Sequence, residues 1–235
     1  ANVIFIKNEI NLGRTRTRAI LAEKAKYNTL LFLDADVMPK NKNFIADYMP
    51  YIDSGTLVFG GYSYTDEFDI KHVLRYKYGK SREEKNASIR SIHPYSSIFS
   101  GNILCTKEIF INNNPTGNGY GMDVIFCYNL YKNNVTVKHI DNPILHLGLE
   151  DNETFFRKCK EAVMLRKKLL ENADGSENIN SLLRHYKTLK KYKLRGLARL
   201  MFALSEPFLK RRILKKDPNL FCLDIYRLGY ICSIK

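Results

Sequence analysis

Apolar and polar positions along this chain fall into short blocks, each with its own period. Val3 to Ile6 is an apolar run that predicts a strand, and Ala19, Ile20, Ala22 and Ala25 give residues 14–26 the small apolar face of a helix. Leu30-Leu31-Phe32-Leu33 predicts a strand over residues 29–34. An apolar run this short, bounded by turn signals, reads as a strand buried on both faces of a sheet. The pattern then predicts a short helix over 41–52, a strand from Thr56 to Phe59 ended by Gly60-Gly61, and a helix over 68–78. Residues 79–95 are polar and lack periodicity, so they read as a lid or a disordered loop. Strand character returns from Ser97 to Cys105 and again from Val135 to Ile140, with a helix from Asp123 to Tyr131 between them. A charged helix follows over 152–171. Ala173-Asp174-Gly175-Ser176 breaks the pattern, and everything after it reads as helical. This alternation predicts an α/β domain over residues 1–172, with a mostly parallel sheet flanked by helices. A basic helical region is expected over 177–235.

Charge changes the picture at one place. The net charge is +14, and between Arg184 and Lys216 twelve Lys or Arg stand against a single acid, Glu206. Leu197, Leu200, Met201, Leu204 and Phe208 recur there at helical spacing. A basic helix with an apolar stripe reads either as a membrane-surface element or as a helix packing its stripe on the main domain. No Gly-aromatic strand pattern or recognised motif accompanies the charge, so nucleic acid is not expected as a partner. The hydrophobic fraction of 45% argues against disorder. Five scattered cysteines contain no Cys-x-x-Cys pair, which points to neither a zinc site nor a disulfide framework and suits a reducing cytoplasm. No apolar run approaches the ~20 residues of a membrane span.

The candidate chemistry begins at Asp34-Ala35-Asp36, just after the apolar run. Open α/β sheets bind ligands outside the carboxyl ends of their strands. Two hard oxygen donors there can hold a divalent cation beside a diphosphate, and the other reading is a polar turn. Arg14, Arg16 and Arg18 gather three guanidinium groups near Gly13, suited to a diphosphate or to a solvated helix face. Asp123 follows Gly119-Tyr120-Gly121-Met122 and suits a helix N-cap, a general base, or both. His146 lies in Asn142-Pro143-Ile144-Leu145-His146-Leu147-Gly148, where an isolated histidine is ordinarily a hydrogen-bonded structural residue.

In order, Asn11-Leu12-Gly13-Arg14, Arg18, Asp34-Ala35-Asp36, Ser100-Gly101-Asn102, Gly119-Tyr120-Gly121-Met122-Asp123 and His146-Leu147-Gly148 resemble the family 2 glycosyltransferases with the GT-A fold. The similarity is to bacterial enzymes of surface-polysaccharide synthesis and covers about residues 1–155. It implies a Rossmann-like GT-A sheet and a metal-dependent, inverting transfer of sugar from a nucleotide-diphosphate sugar, with a UDP-sugar favoured. The acceptor would be a saccharide or a lipid-linked glycan. It implies Asp36 and His146 as ligands of Mn or Mg, and Arg18, Asp34, Asp36 and Asn102 as donor-binding residues. Asp123 would be the base. Against the family pattern, the chain opens at what resembles the third strand, so roughly 60 residues carrying two strands are expected to be missing, on the ~30-residue scale of a βαβ unit. Met122 also stands where the family has Glu. Both departures support the alternative of a non-catalytic binding or scaffold relative. A location in the cytoplasm, peripheral at the inner face of the cell membrane, fits the implied acceptor and the basic helix.

Overall fold

A computed structural model of the chain describes residues 3–234. Helix α1 (Gly13–Lys24) leads into β1 (Thr29–Leu33), and the turn at residues 34–36 into β2 (Val37–Pro39). Strands β3 (Leu57–Phe59) and β4 (Tyr62–Ser63) come next, then helices α2 (Val73–Tyr78) and α3 (Ala87–Ile92). β5 (Asn102–Thr106), α4 (Lys107–Asn113), α5 (Met122–Lys132), β6 (Val137–His139) and β7 (Ile144–His146) complete the α/β part. The remainder is helical: α6 (Asn152–Leu170), α7 (Ser176–Ile179), α8 (Ser181–Lys191), α9 (Arg195–Ile213) and α10 (Leu220–Ser233). The molecule is mixed α/β, 54% helix, with two small sheets.

The first sheet runs β1-β5-β3-β6 and the second β2-β7-β4. β5 lies antiparallel between β1 and β3, while β3 and β6 are parallel; in the second sheet β7 is antiparallel to β2 and parallel to β4. The expected mostly parallel sheet is therefore replaced by two mixed ones. Leu57, Val58 and Phe59 are wholly buried at the centre, and Phe32 stacks on Phe110 with ring centroids 4.2 Å apart. β1 is an edge strand among the described residues; Phe32 is buried while Leu33 is exposed. Successive side chains point to opposite faces, so the exposure of Leu33 corrects the reading of a strand buried on both faces.

Four further expectations change. Ala1 and Asn2 lie outside the described residues, and Val3–Ile6 forms no strand with the described residues. The helix expected over 41–52 shortens to a 3-10 segment, Ala46–Tyr51, with Pro50 inside it. Residues 79–95 are not a structureless lid. They fold as a π-helical turn (Gly79–Glu83), α3 and a 3-10 turn (Pro94–Ser96). Asn86 accepts from Ile89 N–H to cap α3, and buried Arg90 holds it down by donating to the carbonyls of Ile140 and Lys85. Such local side-chain bonds leave no apolar period to read. Last, Leu197, Leu200, Met201, Leu204 and Phe208 are exposed on α9, while Phe202, Leu209 and Ile213 face inward. The stripe does not pack on the domain.

Candidate functional site

The site is assembled where the two sheets meet. The β1–β5 register sets Leu33 opposite Asn102, and Asp34 N–H donates to Gly101 carbonyl at 3.3 Å. The β2–β7 register sets Val37 opposite His146, and Leu147 N–H donates to Asp36 carbonyl at 2.9 Å. The Asp34-Ala35-Asp36 turn is thus the hinge between the sheets, with one carboxylate facing each. Two glycines make room for them. A Cβ on Gly101 would fall 2.2 Å from Asp34 Oδ2, and one on Gly148 2.1 Å from Asp36 Oδ2. Gly121, at φ +99°, turns the chain into α5 and brings Asp123 in the first helical turn to the same space. Gly121 is the residue at the N-cap position, so Asp123 is not the cap; its side chain points across to Ser100 and Arg14 instead.

Asp34, Asp36, Asp123 and His146 all line one cleft of about 700 Å³, within the range of small-molecule sites. Arg14 bridges it, its Nη2 donating to Asp123 Oδ2 at 2.5 Å and its Nη1 to Asp34 Oδ2 at 3.4 Å. Arg18 Nη2 donates to Asp34 Oδ1 at 2.5 Å, and Tyr62 O–H to Asp34 Oδ2 at 3.4 Å. Ser100 Oγ donates to Asp123 Oδ1 at 2.5 Å. Burial pushes the Asp123 carboxyl up, but Arg14 and the Ser100 hydrogen bond outweigh it and hold the group below its ordinary value. Burial, seconded by Arg75, pushes the His146 imidazole down, while Asp36 pulls it back in part. His146 is therefore neutral at pH 7, the form that ligates metals.

Two residues expected to bind the donor stand behind the cleft wall. Arg18, 8% exposed, spends its guanidinium on Asp34 and lies over the Phe32 ring. Asn102 is wholly buried: its Oδ1 accepts from Tyr48 O–H, and its Nδ2 donates to the carbonyls of Gly61 and Asn142. Both act on the cleft through the residues they hold. Arg14 is the residue that sequence reasoning underrated, since a guanidinium on the first turn of α1 reads equally as a solvated one. Its four-residue spacing from Arg18, which puts both on one helix face, was the available signal. Met122 is buried in an apolar cluster with Ile125 and Val163, away from the ligand space.

Among the described residues no three His, Cys, Asp or Glu converge as metal ligands. Asp36 is half exposed, and His146 Nε2 stands 3.7 Å from its Oδ2. The buried His146 Nδ1 has no partner. Two protein donors completed by a ligand's phosphates are the ordinary sphere for such an ion. The residues fit a cation that arrives with a phosphorylated ligand, not an all-protein metal centre. No protein-family model matches the chain, and no curated protein matches it either.

Proposed function

We propose that the protein is a metal-dependent, inverting glycosyltransferase of GT-A type, moving sugar from a UDP-sugar to a saccharide or lipid-linked acceptor in surface-polysaccharide synthesis. The observation that supports this most is the meeting of Asp34, Asp36, Asp123 and His146, scattered over more than a hundred residues, in one open cleft. In this reading Asp36 and His146 hold the Mn or Mg ion. When bound, the ion supplies Lewis-acid stabilisation of the departing diphosphate. Asp34, fixed by Arg18 and Tyr62, orients the nucleotide. Asp123, ionised at neutral pH and steadied on one oxygen by Ser100, takes the proton of the attacking acceptor hydroxyl with its other oxygen. Arg14 occupies that oxygen first, and its 47% exposed side chain has room to leave it for the diphosphate.

The exposed α9 stripe supports a place at the cytoplasmic face of a membrane. Arg199, Lys210, Arg211 and Arg212 flank it, and Glu206, the lone acid, is taken up by Tyr226 O–H. An apolar face rimmed by cations matches an anionic bilayer. No helix among the described residues is long and apolar enough to cross one. The second reading is a non-catalytic binding module; the Arg14–Asp123 pair, which ties up the candidate base, favours it.

Calorimetric titration with UDP, with and without Mn²⁺, tests the donor site that the enzyme reading requires. The enzyme reading expects metal-dependent binding, weakened at least about tenfold by Asp36→Ala. Absence of metal-dependent binding to UDP and to GDP alike would sink it.

A further inference from the structure

Beyond Asp34, Asp36 and Asp123, the same cleft is lined by a floor of cations that the proposed chemistry does not use. Arg75 reaches it from α2, Lys158 and Arg166 from α6, and Arg227 from α10. Lys158 is satisfied by Glu150 Oε1 at 2.5 Å. Arg75 is paired in part: Nη2 meets Glu83 Oε2 at 2.9 Å and Nε stands 3.5 Å from Glu150 Oε2, while Nη1 is buried without any acceptor. Its side chain is only 7% exposed. Arg227 Nη1 stands 3.7 Å from Asp224, a carboxylate already engaged by Arg82 at 2.6 Å, and among the described residues Arg227 Nε has no partner. Arg166 is the extreme case: among the described residues its buried Nε and Nη1 have no partner, and no carboxylate stands within ion-pair distance of it. Burial, with Arg227 nearby, pushes its guanidinium down to about 10 against the opposing pull of Tyr78, which leaves it cationic at neutral pH.

A buried arginine cannot escape by losing its proton, and an unpaired charge in such surroundings is strongly unfavourable. These guanidiniums stand beside a cluster of Phe155, Phe156, Cys159, Leu223 and Tyr226, where apolar residues would pack at no such cost. Fold stability alone does not explain them. In this network Arg75, Arg82, Lys158, Arg166 and Arg227 face Glu83, Glu150 and Asp224, five cations against three carboxylates. The surplus is two positive charges. A carboxylate would cancel one of them, whereas a phosphate dianion cancels both and accepts the paired N–H groups that arginine offers.

We propose that this floor, centred on Arg166 and Arg227, is a phosphate-binding site that works without metal. It rests on the cleft itself and not on glycosyl transfer. Its phosphate belongs either to the donor's own diphosphate or to a second, phosphorylated ligand. The test is a titration of the full chain with inorganic phosphate at constant ionic strength and without divalent metal, read by calorimetry and by the melting temperature. Arg166→Met and Asp36→Ala are titrated alongside, with sodium acetate as a second ligand. Phosphate is expected to raise the melting temperature while acetate has little effect. Arg166→Met should melt at or above the parent temperature, having lost an uncompensated charge, and bind phosphate at least tenfold more weakly. Asp36→Ala should titrate like the parent. Should Arg166→Met fail to fold, Arg227→Gln carries the same loss of binding. Competition by metal-free UDP assigns the phosphate to the donor, and undisturbed binding beside UDP assigns it to a second ligand. No response to phosphate, or equal responses in Arg166→Met and the parent, would overturn the site. Acetate matching phosphate would overturn the choice of anion.

Discussion

Asp123 holds its charge because of Arg14, and the pair makes that dependence measurable. With its carboxyl held below the ordinary value, Asp123 adds stability that is present above the unfolded pKa of ~3.9 and lost as pH falls through the folded one. Arg14→Ala removes the opposing charge and leaves burial to push the carboxyl up. The melting temperatures of parent and variant should therefore separate toward pH 6, by on the order of 2–4 °C, and converge as pH falls through the folded-state pKa of Asp123. A gap independent of pH would mean that Arg14 supports the fold in some other way. In the proposed mechanism Asp123 must lose its proton to act, so the same variant should shift the acid limb of turnover upward. At this scale the acids were easier to read than the cations. Asp34 and Asp36 declare themselves at the end of an apolar run, and Asp123 beside turn glycines. Arg14 and Arg18 share one helix face by their spacing, whereas whether Arg166 or Arg227 faces water or a cleft depends on helix placement, which no local pattern encodes.

Each element places one piece of the cleft, and the tightest placement is the entry to α5. Gly121 sits at φ +99°, and a Cβ there would come 2.9 Å from the Ala162 Cβ on α6. Gly121→Ala combines an unfavourable backbone with a steric clash and should cost about 1–3 kcal/mol, measured by chemical denaturation. A neutral effect would show that the α5–α6 contact is slack. Helix α9 carries the opposite kind of prediction, since its stripe is exposed. Leu204 is 78% exposed. Leu204→Glu with Phe208→Glu should leave the melting temperature within about 1 °C, because surface changes cost little. Co-sedimentation with phosphatidylglycerol vesicles should fall at least about tenfold, and phosphatidylcholine vesicles should retain neither protein. Equal sedimentation of parent and double variant would remove the membrane reading. The helices at 14–26 and 152–171 and the strand at 29–34 were legible, each long or periodic enough to declare itself. The second sheet was not, because β2, β4 and β7 are two or three residues long and one ends in Pro39. Antiparallel insertion of β5 escaped for a related reason: strand direction is set by pairing across more than forty residues.

Across the whole molecule the break at residues 173–176 is a change of pattern that the packing crosses. Met122 and Ile125 of α5 share one apolar cluster with Leu182, Leu183 and Tyr186 of α8 and Ile231 of α10. The helical region thereby closes the far end of the cleft, supplying Arg227 while the turn between the sheets and the start of α5 supply Asp34, Asp36 and Asp123. One cavity with an acidic mouth and a cationic floor suits a ligand that carries both a metal-bound diphosphate and further negative charge. The central claim is that this mouth binds the donor through Asp36 and removes the acceptor's proton through Asp123. Its most direct test is Asp123→Asn, assayed for Mn²⁺-dependent UDP binding and for UDP release from UDP-sugars, with water or added saccharide as acceptor. The account predicts binding within a factor of about two of the parent and release slowed at least roughly 100-fold. Unchanged release in Asp123→Asn, or a parent that binds UDP with metal yet releases none from any UDP-sugar, would contradict it.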